Sequence, residues 1–108
     1  MKAYLISQVE VIDEIAWERY RSIAAPAIAR HGGRYLVRGA TPEVVEGDWA
    51  PPNPERQRII VAEFPDSAAL HAWYDSPQYA EALVFRQLAV RRRLLFVDGV
   101  SDADALPT

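Results

Sequence analysis

Residues Ala3 to Val11 carry the pattern that most limits what this chain can become. Ala3, Leu5, Val9 and Val11 fall on one side of an extended backbone, and Tyr4, Ile6, Gln8 and Glu10 fall on the other. A period of two with one dry side and one mixed side describes a strand whose two faces meet different surroundings. The run RIIVAEF, Arg58 to Phe64, is β-branched and forms the clearest strand in the sequence. Shorter extended segments are expected at Arg34–Arg38 and Leu94–Val100.

Between these strands the spacing turns helical. Asp13 offers a capping oxygen and Glu14 sits at the positive end of the helix dipole. Ala16, Tyr20, Ile23, Ala24 and Ala27 then recur on one helix face; Pro26 is expected to kink the segment, and Gly32 and Gly33 to end it. Gly39 to Pro42 should break the second strand, with Glu43–Glu46 a short extended piece beyond. The segment Ala50–Pro54, APPNP, reads as a rigid exposed loop. Asp66 or Ser67 caps a helix carrying Leu70, Trp73 and Tyr74. Proline drives the preceding residue out of the α region, so Ser76 should be extended, cap a new helix with its hydroxyl, and place Pro77 at the first helical position. That helix is expected from Pro77 to about Val90, with Ala80, Leu83, Val84 and Leu88 inward. Arg91, Arg92 and Arg93 read as a solvated turn before the last strand.

The resulting order is strand, helix, strand, strand, helix pair, strand. It matches an α+β, ferredoxin-like βαββαβ fold: a four-stranded antiparallel sheet with helices on one face. Residues 1–100 form this one domain, and 101–108 form a polar tail. Tyr4 and Ile6 make the uncovered sheet face partly apolar, which a lone subunit would expose. A symmetric homodimer closed through its sheets solves this. At 108 residues, half of them hydrophobic, the chain has one modest core to which such a partner adds burial.

A net charge of −3 argues against nucleic acid as a partner. Without cysteine there are no disulfides, thiolate nucleophiles or sulfur-bound metals. The first residues do not read as a signal peptide, no run is long enough for a membrane span, and a cytoplasmic location is expected.

Several phrases in order, HGGRYLVRGA, EVVEGDWAPP, RIIVAEFPD, AWYDSPQYAEA and LLFVDGV, resemble the bacterial family known as domain of unknown function 1330, within the dimeric α+β barrel superfamily. The resemblance spans the chain to Val100. It implies a ferredoxin-like protomer and a homodimer, and no particular reaction. The wider superfamily includes cofactor-free monooxygenases, haem-degrading enzymes, dismutases, lyases and muconolactone isomerase; fold does not choose among them. His31, Ala40 and Arg91–Arg93 depart from the pattern expected of the family.

Candidate site residues follow from residue type and place. Arg38 and Arg58 flank the long loop containing Trp49; together they could hold a carboxylate, or each could pair with Glu46, Glu55 or Glu63. Glu63, inside an apolar run, is either a general base in a cavity between subunits or the ion-pair partner of an arginine. Trp49 is either a pocket wall or a hook onto the other subunit. Trp73 belongs with Leu70 in the core, whereas Tyr74 and Tyr79 need partners for their hydroxyls and are ligand-binding candidates. His31 and His71 come from separate helices without carboxylates at ligand spacing, so no metal or haem cofactor is expected; His31 suits a helix C-terminus. No phosphate loop, dinucleotide fingerprint or serine elbow is present.

The leading expectation is a homodimer that binds a small carboxylate or aromatic metabolite between its sheet and helices, with cofactor-independent acid–base chemistry through Glu63 as its enzymatic form. A non-catalytic assembly or protein-binding module is one alternative, and a cofactor-free monooxygenase is the other.

Overall fold

The computed structural model describes residues 1–47 and 53–101. Trp49, with most of the APPNP loop, and the tail from 102 to 108 lie outside the described residues. The elements run β1 (Ala3–Val11), α1 (Glu14–Arg30), β2 (Arg34–Ala40), a 3-10 turn (Pro54–Arg56), β3 (Gln57–Phe64), α2 (Ser67–Tyr74), α3 (Pro77–Ala89) and β4 (Val90–Asp98). The strands form one antiparallel sheet in the order β2-β3-β1-β4, so the most regularly alternating strand, β1, is central. This is the ferredoxin-like βαββαβ arrangement.

Cross-strand partners share a sheet face, which sorts every side chain. Ala3, Leu5 and Val9 stand beside Phe64, Ala62 and Arg58 on β3 and beside Asp98, Phe96 and Arg92 on β4. On this side Ala3, Leu5, Val9, Ala62 and Phe64 are buried under α1, α2 and α3 together with Trp17, Tyr20, Ala24, Leu70, Trp73 and Tyr79. Tyr4, Ile6 and Gln8 share the other side with Glu63, Val61 and Ile59 and with Val97, Leu95 and Arg93. There Leu95 and Val97 are 38% and 43% exposed.

The caps form as their residues dictate. Asp13 Oδ1 accepts from the Ala16 amide at 3.0 Å, and Asp66 Oδ1 from the Ala69 amide at 2.7 Å. At the elbow, Ser76 Oγ accepts from the Tyr79 amide at 3.1 Å while donating to the Trp73 carbonyl at 2.7 Å, tying the end of α2 to the start of α3. Pro26 does not end α1, which continues to Arg30 with His31 as its C-cap; Gly32 follows in the left-handed region at φ +80°.

Three expectations are corrected. Arg91–Arg93 are not a turn: β4 begins at Val90, and these arginines pair with Glu10, Val9 and Gln8 of β1. Pairing with the central strand satisfies their backbone groups, and alternation then sends Arg92 alone to the helix side. On α3, Ala80, Val84 and Leu88 face solvent, with Val84 and Leu88 68% and 66% exposed, while Leu83 is half-buried. Spacing fits two faces of this segment equally well; the one chosen buries Tyr79, Ala82 and Ala89 and seats the Tyr79 ring 4.3 Å from that of Trp73. Finally, β2 runs past Arg38 to Ala40, crossing Gly39 at φ +86°, and residues 41–47 form no strand.

The register of β2 against β3 slips twice, between Tyr35 and Val37 and between Arg38 and Ala40. In a regular strand residues three apart lie on opposite faces. Because of the first irregularity, Tyr35 opposite Ala62 and Arg38 opposite Ile60 both lie on the helix side. Bulges commonly re-aim side chains in this way.

Candidate functional site

The two re-aimed side chains open the site. Arg38 lies over the Tyr35 ring, its guanidinium carbon 4.8 Å from the centroid. Together with Glu18, Arg21 and Ser22 of α1 they border a groove of about 490 Å³. Behind it, between the sheet and α1, is a smaller cavity of about 30 Å³ reached by Leu5, Ser7, Tyr20, Trp73 and Arg92. Arg21, Ile28, Tyr35 and Arg38 line both spaces and form their common wall.

The inner cavity is polar in an unusual way. Arg92 donates from Nη1 to the Tyr20 hydroxyl at 2.7 Å and from Nη2 to the Tyr79 hydroxyl at 2.5 Å, and its guanidinium also lies 5.5 Å from the Tyr20 ring. Among the described residues no carboxylate pairs with it. Buried cations ordinarily have an anion, since removing one from water is costly. The two phenol oxygens stand 3.0 Å apart and share one hydrogen bond, so one O–H is left over once either donates to the other. Tyr20 is the phenol that reaches the cavity. Tyr79 is fully buried, and that burial, followed by its closeness to Tyr20, pushes its pKa far up and keeps it protonated. Two further lining residues, Ser7 and Trp73, are only 2% and 1% exposed, and among the described residues Ser7 Oγ and Trp73 Nε1 have no hydrogen-bond partner.

The groove mouth is charged. Arg21 Nη1 meets Glu18 Oε1 at 3.0 Å, and the Arg21 guanidinium lies 5.7 Å from the Trp17 ring. Burial raises the pKa of Tyr35, while Arg38 and Arg21 pull it partly back.

Of the residues singled out from sequence, Arg38 and Tyr79 meet this site, one in its wall and one behind Arg92. Arg58 does not. It donates to the Thr41 hydroxyl at 3.3 Å and to the carbonyls of Glu55 and Gln57 at 2.9 and 2.7 Å, holding the start of β3 to its flanking loop. Tyr74 is 40% exposed and rests on Phe96 and Tyr79, with ring centroids at 5.7 and 5.3 Å, outside both spaces. Glu63 lies on the opposite face of the sheet from the cavity. Its Oε1 accepts from Lys2 Nζ at 3.2 Å and Arg34 Nε at 3.0 Å. Those bonds, the one from Lys2 foremost, hold it below the ordinary carboxylate range, making it an ion-pair partner and a poor base. His31 Nδ1 bonds to the Ala27 carbonyl at 2.8 Å and His71 Nδ1 to that of Ser67 at 2.9 Å, so each histidine is engaged within its own helix.

Sequence reasoning missed Arg92, Tyr20 and Ser7. The signal for Arg92 was present: Val90, Arg92, Leu94 and Phe96 continue the same alternation backwards into the arginine run. Ser7 lay on the dry side of β1, between Leu5 and Val9.

The sheet, its helices and the cavity between them define a ferredoxin-like α+β protein. Residues 2–100 match the family described as Domain of unknown function (DUF1330), and the chain belongs to it. Among solved structures it is similar to a protein of unknown function from Rhodopseudomonas palustris, with a TM-score of 0.74 at 22% identity, covering 93% of this chain and 83% of that one. It is also similar to SnoaB, a cofactor-independent oxygenase from Streptomyces nogalater (TM-score 0.63, 12% identity, 93% and 94% covered). A putative antibiotic biosynthesis monooxygenase from Caulobacter crescentus is another structural match (TM-score 0.65, 12% identity, 93% and 91% covered). At such identities the likeness is one of fold. No curated protein matches the chain in sequence. No helix among the described residues is long and apolar enough to cross a membrane.

Proposed function

We propose that this protein binds a small organic carboxylate in the cavity between its sheet and helices, and that it does so as a cytoplasmic homodimer. The carrying observation is Arg92: a half-buried guanidinium that, among the described residues, meets two phenols and no carboxylate, in a cavity also lined by Ser7 and Trp73, whose Oγ and Nε1 find no hydrogen-bond partner there. An anion entering the cavity supplies the missing charge and takes hydrogen bonds from groups otherwise left unsatisfied. The groove beyond, at about 490 Å³, is of the size that encloses a small-molecule body. In the enzymatic form of this reading, acid–base work passes from Glu63 to the Tyr20–Tyr79 pair, whose leftover O–H is a proton donor, while Arg92 steadies developing negative charge.

The dimer is supported by the uncovered sheet face, where Tyr4, Ile6, Ile59, Val61, Leu95 and Val97 form an apolar surface that a second sheet would cover. The rival reading, a non-catalytic module with Arg38 and Arg58 locked in ion pairs, is disfavoured because neither forms one among the described residues.

Thermal shift with matched probes is the test. Benzoate and phenylacetate should raise Tm in proportion to the logarithm of their concentration, benzamide and phenylacetamide should not, and Arg92→Gln should remove the difference. Equal responses to acid and amide would refute the reading. A second reading, cofactor-independent oxygenase chemistry, draws on the likeness to SnoaB together with Trp73 in the cavity lining. Oxygen uptake with dihydroxyaromatic substrates tests it, and uptake no faster than in buffer ends it.

A further inference from the structure

Resting on the carboxylate reading above, we infer that the site is built for a dianion, with one carboxylate at Arg92 and the second at Arg38, and with the carbon body lying between them along Tyr35.

The sizes of the two spaces demand a divided ligand. The inner cavity, at about 30 Å³, has room for roughly two waters. That accommodates a carboxylate head and excludes a ring or chain. The rest of any ligand held by Arg92 therefore projects past the common wall into the groove, where Arg21, Tyr35 and Arg38 stand.

Charge then decides what the projecting end carries. Three arginines border the groove: Arg21, Arg34 and Arg38. Arg21 is matched by Glu18 at 3.0 Å and Arg34 by Glu63 at 3.0 Å. Among the described residues Arg38 has no carboxylate partner; its guanidinium lies over the face of Tyr35 at 4.8 Å. The guanidiniums left without an anion are thus Arg92 in the inner space and Arg38 on the wall it shares with the groove. A monocarboxylate answers one of them, and a dicarboxylate answers both. Tyr35, half-buried beneath Arg38, offers a flat surface for the connecting carbons. The position of Arg38 is itself a product of the β2 irregularity, which turns both Tyr35 and Arg38 toward the helices.

Calorimetric titration of the intact protein with two matched pairs, hexanoate against adipate and benzoate against terephthalate, separates the possibilities. In at least one pair the dicarboxylate should bind tenfold or more tightly than its monocarboxylate. Arg38→Gln, on an exposed edge-strand side chain, should erase that gain by weakening the dicarboxylate more than the monocarboxylate, whereas Arg92→Gln should weaken both members. Monocarboxylate binding that depends on Arg92, with no gain from the second carboxylate in either pair, overturns the dianion inference alone. So does a gain that survives Arg38→Gln. Failure of all four probes to bind removes the dianion inference together with the carboxylate reading on which it rests.

Discussion

The hydroxyls of Tyr20 and Tyr79, on helices that begin 63 residues apart in the chain, stand 3.0 Å from one another, and Arg92 donates to both. This three-residue cluster couples α1, α3 and β4 through polar contacts inside an apolar layer. Such networks are strong when complete and costly when broken.

Removal of one phenol oxygen should therefore show. Tyr79→Phe leaves part of the Arg92 guanidinium without an acceptor, and a loss of about 1–3 kcal/mol is expected in urea unfolding. Tyr20→Phe should behave alike, and the double variant should differ from the sum by about 0.5–3 kcal/mol because both oxygens serve one cation. Strict additivity would show that the cluster does not act as a unit.

The Ser76 hydroxyl bridges α2 and α3 by accepting from the Tyr79 amide and donating to the Trp73 carbonyl. Ser76→Ala should cost about 1–2 kcal/mol, the upper part of the range for a lost cap, because the site is buried. Ser76→Asp, which keeps a capping oxygen without the donated bond, should recover only part of that loss.

The uncovered sheet face gives a test of assembly. Sedimentation velocity at micromolar concentration should show a dimer for the native chain and a monomer for Leu95→Glu, since Leu95 stands beside Ile6 in the middle of the apolar surface. A native protein that sediments as a monomer would leave this face without its proposed cover.

Acid should weaken the fold partly through Glu63. Its folded pKa is depressed by Lys2 and Arg34, so the unfolded chain takes up the proton first as pH falls. The contribution is complete above the ordinary glutamate value of about 4.3 and is lost as pH drops from there through the lower folded value. The urea midpoints of native protein and Glu63→Gln should differ most at pH 6–7 and converge toward pH 3. A constant difference across that span would mean that the carboxylate charge is not what Glu63 contributes.

Much of the fold was legible in local chemistry. Alternation in Ala3–Val11 and Arg58–Phe64, the oxygens of Asp13, Asp66 and Ser76, and Pro77 at a first helical position each act over a few residues, and each formed as its type requires. The site was less legible. Glu63 drew attention as a carboxylate in an apolar run, yet its neighbours across the sheet and at the chain start, Arg34 and Lys2, cover and pair it on the face away from the cavity. Arg92 was hidden among like neighbours: the alternation of Leu94 and Phe96 reaches back to it only if β4 starts at Val90, and its pairing with Val9 establishes that start.

By itself, then, the order and periodicity of the segments determined a sheet with helices on one side and an oily face on the other, because those patterns are set by backbone geometry within each strand or helix. Which of two possible faces α3 buries, and which side chains of β2 share a surface, depended on packing between distant segments: the Tyr79 ring against Trp73, and a register slip against β3. A slip of one residue reverses the direction of everything beyond it, and no local pattern records it. The cavity exists because that slip and the alternation of β4 turn Arg38 and Arg92 toward the same helices.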